Sequence, residues 1–396
     1  MPAQHRQTPR PTASGPAKGR IAVLDGFRLV AALMVVAYHY VAFSSGWDTS
    51  PETIFKTAYL PSTYGFLGVN LFFLISGFVI CLSCWGRSLG DFLTSRVIRL
   101  FPAFWLAVIC TSLVLHFFAG PEHALSLSEI LANLTMFQEP SGAKSVDGSY
   151  WTLWVEMRFY LLFALVVWRG VNYRSVVSFC IIWAAAAVTA KGMGSKELSE
   201  ALVANDCWFF IGGIAFFLMW KFRPTALLWA IVVFSFLEGQ YFVIANYHGH
   251  ALSYRGEPAP VWPVVALLSL FYVLMAGVAL GWFRKINWRW LPAAGALTYP
   301  LYVLHENIGW SITSRLQHKV PAAALVVGLV AGMLVAAWIV NRVIERPVSK
   351  KLRKVLVASF AEIRQHSTAP DAEKVPAGQA EAAATGRAQP RSAERL

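Results

Sequence analysis

The sequence predicts an all-α integral membrane protein of about ten transmembrane helices with both termini in the cytoplasm, and three observations carry that prediction. The 396 residues are 57% hydrophobic and only 14% charged, with a mean hydropathy of +0.52. A soluble domain carries roughly 25% charged residues, so this composition cannot keep a surface wet. Apolar runs of near-span length recur along the chain, and about 20 residues cross a hydrocarbon core. Finally, Lys and Arg punctuate those runs with a strong bias to one side.

The runs fall, in order, at about 21–43, 65–83, 98–118, 151–168, 175–190, 206–220, 225–246, 261–282, 292–311 and 321–341. The fifth, sixth and ninth are short or interrupted. One set of flanks and loops carries 20 Lys or Arg, including Arg87, Arg96 and Arg99 and six residues within 342–354, against seven on the opposite side. The positive-inside rule places the richer side, and with it both termini, in the cytoplasm. Residues 1–20 read as a disordered basic tail, 21–350 as the membrane domain, and 351–396 as a basic and then low-complexity tail, disordered from about 356. The net charge of +13 does not pool into one patch, which argues against nucleic acid as a partner. The five cysteines form an odd set in or near apolar runs, so they call for no disulfide and no metal site.

Ionisable groups inside a span cost several kcal/mol and are candidates for function by default. The first span carries Asp25, Arg28 and His39. Eleven residues is close to three α-helical turns, so Arg28 and His39 share a face about 16 Å apart, the arginine low and the histidine high. A plainer reading pairs Arg28 with Asp25 at i,i+3 and leaves His39 at the interface. Asn70 in the second span, Glu156 in the fourth and His305 in the ninth fall at a depth similar to His39 when counted at about 1.5 Å per residue. Arg158 lies about 200° round the helix from Glu156, so the two cannot share a face, and a structural ion pair is a fair reading of it. The basic loop with Arg87, Arg96 and Arg99 either anchors the cytoplasmic face or holds the phosphates of a nucleotide-bearing donor.

Several segments together resemble the membrane acyltransferase 3 family. Leu24-Asp25-Gly26-Phe27-Arg28 followed by His39 is similar to its Arg-x10-His signature, and Gly68 to Phe78 to its second motif. Arg96-x-x-Arg99-x-x-Pro102-x-x-Trp105 resembles the third, and Tyr150-Trp151-x-Leu153-x-x-Glu156-x-x-Phe159-Tyr160 the fourth. Weaker matches follow at Thr298-Tyr299-Pro300-Leu301-Tyr302-x-x-His305 and Glu345-x-Pro347. Two positions depart from the family: Asn70 stands where members often carry Asp, and Leu29 where Gly often follows the arginine.

The resemblance implies a multi-pass protein of a bacterial plasma membrane that moves an acyl group, commonly acetyl, from acyl-CoA to a hydroxyl. Acyl-CoA would be a co-substrate, with no cofactor bound permanently. The acceptor would be a carbohydrate or a glycosylated molecule, such as a surface polysaccharide or a macrolide antibiotic. His39 has the pKa of a base, and Glu156 is expected to orient its second nitrogen. Arg28, always protonated, would anchor the donor from the cytoplasmic side, with Arg96 and Arg99 on its phosphates. Asn70, Ser76, Trp151 and His305 complete the expected substrate contacts. Ser76 is also available as a covalent carrier, although helix packing is its plainer role. The rival reading is a proton-coupled small-molecule exporter, which buried Arg, Glu and His would also suit.

Overall fold

The computed structural model describes residues 21–43, 46–119, 124–250 and 252–368. The N-terminal tail 1–20, and the C-terminal tail beyond 368, lie outside the described residues. The long helices are α1 (Ala22–Ala37), α2 (Gly68–Cys84), α3 (Leu89–Val114), α4 (Trp151–Arg169), α5 (Tyr173–Gly192) and α6 (Cys207–Lys221). They continue with α7 (Ala226–His250), α8 (Trp262–Leu280), α9 (Leu291–Leu316), α10 (Ala322–Ile339) and α11 (Arg346–Thr368). The strands among the described residues are β1 (Ser253–Tyr254) and β2 (Glu257–Pro258), an antiparallel pair in the loop before α8.

Among the described residues, eight helical segments are long and apolar enough to cross a membrane. The helices at the sixth and ninth expected spans fall outside that set, each for its own reason. Helix α6 has 15 residues. Its side chains from Cys207 to Met219 are all buried, because α2, α5, α7 and α8 surround it. A helix that is apolar all round and enclosed by protein need not match the bilayer thickness. Helix α9 is long enough at 26 residues, but it carries His305, Glu306 and Asn307 in its middle.

Helices α2 and α6 pack backbone to backbone. Gly77 of α2 lies against the Phe210 carbonyl and Gly213 of α6 against the Leu74 carbonyl, where an added Cβ would overlap either carbonyl. In a bilayer, where lipid is as apolar as leucine, such close approach is what holds helices together.

Two helices carry an internal proline, Pro102 in α3 and Pro300 in α9. Each deprives the carbonyl four residues earlier of its helical donor. The C-terminal segment supplies both missing donors. Ser349 Oγ donates to the Ile98 carbonyl at 3.1 Å, and Asn341 Nδ2 donates to the Ala296 carbonyl at 3.4 Å. Asn341 is itself held by Glu345 Oε2 at 2.6 Å and by Arg346 Nε at 3.1 Å, which accounts for the Glu345-x-Pro347 segment in structural terms. Replacing Ser349 with Ala and Asn341 with Leu is expected to cost about 1–3 kcal/mol per orphaned carbonyl. A lower thermal unfolding midpoint in detergent would show it, with each single variant intermediate.

Composition predicts disorder from about residue 356, yet α11 runs on to Thr368. Leu352, Leu356 and Phe360 recur every four residues and are half-buried, and the helix packs on α3. That stripe, diluted among Lys and Arg, is what a composition window averages away.

Candidate active site

Helix α1 does not stay α-helical to its end. Residues Tyr38–Ala42 form a π-helical turn, a widening that recurs at functional sites. Its free carbonyls are taken by two indoles, Trp310 Nε1 on His39 O at 3.1 Å and Trp47 Nε1 on Tyr40 O at 2.9 Å. Phe43 stacks on Trp310 at 5.5 Å, so the turn is pinned to α9. The helix is regular from Arg28 to Ala37 and widens only at the last two steps to His39, and the two side chains line different cavities.

His39 faces α9. Its Nδ1 lies 2.9 Å from His305 Nε2, and His305 Nδ1 lies 2.7 Å from the Tyr302 carbonyl. The carbonyl can only accept, so His305 Nδ1 carries a proton. With the ring neutral, His305 Nε2 is then an acceptor, and His39 Nδ1 must donate to it. This leaves the lone pair of His39 Nε2 free. The nearest carboxylate, Glu306 Oε2, stands 3.8 Å from that nitrogen. Glu306 is 4% exposed, and its Oε2 has no hydrogen-bond partner. His305 is completely buried, and its carbonyl accepts from Tyr40 Oη at 2.6 Å. Expected among the substrate contacts, it instead holds the tautomer of His39 from behind.

An outer loop is clipped onto the same part of α9. Asp147 Oδ2 accepts from Asn307 N at 3.1 Å, and Asn307 Nδ2 donates to the Val146 carbonyl at 2.7 Å. Gly148 lies against the Glu306 carboxylate so closely that a Cβ would collide with it. Tyr302 Oη meets Thr152 Oγ1 at 2.9 Å, and this joins the start of α4 to the ensemble.

Two cavities meet here. The histidine cavity, about 550 Å³, is lined by His39, Asn70, Trp151, Tyr302 and Glu306 among others. The arginine cleft is narrower, about 60 Å³, and collects Arg28, Ser76, Arg96, Arg99, Glu156 and Tyr160. Val69 and Tyr302 line both, and so form their common wall. Glu156 lies in the cleft, where its Oε1 accepts from Ser76 Oγ at 2.6 Å and from Tyr160 Oη. It therefore does not orient His39, whose two nitrogens face His305 and Glu306. Arg28 pairs with Asp25 at 3.6 Å and still lines the cleft. Arg96 donates to Ser83 Oγ at 2.9 Å and stacks over Tyr160. Arg158 faces elsewhere. It donates to the Glu200 carbonyl and stacks on Trp154, and the carboxylates of Glu139, Asp206 and Glu200 lie close enough for their charge to act on it.

An acyltransferase domain family matches residues 21–342. The chain belongs to that acyltransferase family. Among curated relatives, the domain is 24% identical over 367 residues to "Peptidoglycan O-acetyltransferase OatA" of Listeria monocytogenes, covering 83% of this chain and 55% of the relative. It is 35% identical over 122 residues to "Exopolysaccharide production protein ExoZ" of Rhizobium meliloti, covering 28% and 37%. It is 26% identical over 206 residues to "Acyltransferase MdmB" of Streptomyces mycarofaciens, covering 48% and 52%. The chain spans about half the length of most of the curated relatives it matches. No solved structure matches it significantly. Within this acyltransferase domain, sequence reasoning passes over Glu306 and Asp147 and names Tyr302 only as part of a motif, without a role. Glu306 directly follows the histidine that closes the Thr298–His305 motif, and Asp147 stands three residues before Tyr150.

Proposed function

We propose that the protein is a membrane-embedded O-acyltransferase that moves an acyl group, acetyl in the simplest case, from acyl-CoA to a hydroxyl of a carbohydrate or glycosylated acceptor. The observation that carries this reading is the free Nε2 lone pair of His39, set beside the wall between an arginine-lined cleft and a roomier cavity. The charge asymmetry of the loops puts the arginine side toward the cytoplasm, where acyl-CoA is made. A bacterial plasma membrane is the corresponding location. The names of the relatives, a peptidoglycan O-acetyltransferase and an exopolysaccharide production protein, support a surface polysaccharide as acceptor, with a macrolide as the alternative that the motif resemblance implies.

In this scheme the cleft binds the donor's phosphates through Arg28, Arg96 and Arg99, whose guanidinium groups suit them. The thioester lies at the Val69–Tyr302 wall. A hydroxyl in the histidine cavity donates to His39 Nε2 and gives up its proton as its oxygen bonds to the acyl carbon. The C–S bond then breaks, and the thiolate takes the proton back from His39, which yields the ester and free CoA. His305 Nε2 keeps the His39 Nδ1 proton in place, and Glu306 stabilises the imidazolium. The Asn70 side-chain amide, lining the same cavity, can donate to the oxyanion.

Loss of one charge-assisted contact costs about 1.5–3 kcal/mol. Arg99→Ala is therefore expected to raise the KM for acetyl-CoA about 10- to 100-fold with kcat little changed. Steady-state transfer assays in nanodiscs with radiolabelled acetyl-CoA measure both. An unchanged KM would remove the cleft from donor binding.

A further inference from the structure

The histidine cavity presents two acceptors side by side. His39 Nε2 carries a free lone pair, and Glu306 Oε2 stands 3.8 Å from it, too far for a hydrogen bond between them. Glu306 lines the cavity and is 4% exposed, yet its Oε2 has no hydrogen-bond partner in the protein. Several donors nearby are engaged elsewhere. Tyr40 Oη donates to the His305 carbonyl, Ser149 Oγ to Asp147 Oδ1, and the Asn307 amide and side chain to Asp147 and to the Val146 carbonyl. Tyr302 Oη is paired with Thr152 Oγ1, and Gly148 lies against the Oε1 of Glu306.

An acceptor that fills the cavity displaces water from this carboxyl group and has to replace its hydrogen bond. The reacting hydroxyl cannot do so, because its one proton goes to His39 Nε2. We propose that a second hydroxyl does, so that the acceptor is a diol with two free hydroxyls on adjacent carbons, and Glu306 selects for the second. Adjacent ring hydroxyls held gauche place their oxygens about one hydrogen-bond length apart. Each can then donate to one of two acceptors 3.8 Å apart. A neutral group fits this place better than an ammonium, since a second cation beside His39 would oppose the imidazolium that forms there. A hydroxyl also serves Glu306 in either protonation state, because it can both donate and accept. In carbohydrate terms, the acylated position is a ring hydroxyl whose neighbour is unsubstituted. An isolated hydroxyl, as in a deoxy sugar, is disfavoured because it leaves the buried acid unpaired. This rests on the histidine cavity being the acceptor site of the proposed transferase, and it narrows which hydroxyl reacts there.

The test is binding, measured without donor and apart from transfer. The full chain in nanodiscs is titrated, by saturation-transfer NMR and calorimetry, with cis-1,2-cyclohexanediol, its monomethyl ether and 1,4-cyclohexanediol. The ether keeps one nucleophilic hydroxyl and loses the second donor, and the 1,4-diol keeps both but holds them too far apart. A hydrogen bond to a charged group predicts at least about tenfold tighter binding of the 1,2-diol than of either control. Glu306→Leu should remove that preference, whereas Glu306→Gln, whose amide oxygen still accepts, should keep part of it. Should the leucine variant not fold, the three probes on the unaltered protein and on Glu306→Gln decide alone. Equal binding of the 1,2-diol and either control, binding of none of the three, or a preference that survives Glu306→Leu would each overturn the proposal. Transfer from acetyl-CoA to the same probes is assayed in parallel. A protein that prefers the 1,2-diol but acylates none of the three would sink the transferase reading and leave the recognition standing.

Discussion

Replacing His39 with alanine is expected to lower acyl transfer by about 10²- to 10⁴-fold, the usual weight of a positioned general base. The folded protein should survive, because the His39 carbonyl that holds Trp310 belongs to the backbone. Glutamine at the same position should be as inactive, since its amide cannot take a proton. Changes at His305 separate base from support. His305→Gln keeps an oxygen that can accept from His39 Nδ1, and should retain clearly more activity than His305→Leu, which leaves that donor unpaired. Radiolabel transfer in nanodiscs, beside a size-exclusion profile for each variant, checks the series. Full activity in a folded His39→Ala protein would refute the assigned base.

The second large effect falls on the fold. Gly213→Val would drive two methyl groups toward the Leu74 carbonyl and the Phe78 amide of α2, where the obstacle is backbone and cannot rotate away. Overpacking a core costs about 1–3 kcal/mol and at times more, and here it would also push α2 away from α6, which pack through glycine. The expected result is low recovery of folded protein from the membrane and a lowered unfolding midpoint. Gly328→Val on α10, where a Cβ meets no atom within 4 Å, should be well tolerated. Equal recovery of the two variants would contradict the packing described for α2 and α6.

Much of the architecture is legible in the sequence because hydrophobic length and loop charge act segment by segment. All ten expected crossings correspond to helices. The two that miss the criterion for a span do so through enclosure, in α6, and through His305, Glu306 and Asn307, in α9. What stays hidden depends on pairing between distant segments. Nothing local marks Tyr38–Ala42 as a π turn, since the indoles that complete it come from Trp47 and Trp310. Nor does the sequence place Glu156 beside Ser76 and Tyr160 instead of His39, because similar depth along two helices leaves their rotation undetermined. Asn341 and Ser349 look like ordinary polar residues at the end of a span. Only their contact with carbonyls freed by Pro300 and Pro102 shows what they do.

The proposed transfer takes a donor held by arginines to His39 across the wall formed by Val69 and Tyr302. The most direct measurement is a cryo-electron microscopy structure of the protein bound to a non-reactive thioether analogue of acetyl-CoA. The expected density shows phosphates among Arg28, Arg96 and Arg99, a pantetheine arm passing Tyr302, and the acyl-mimicking carbon beside His39 Nε2. An analogue whose acyl end lies away from His39, or whose phosphates avoid the arginine cleft, would contradict it.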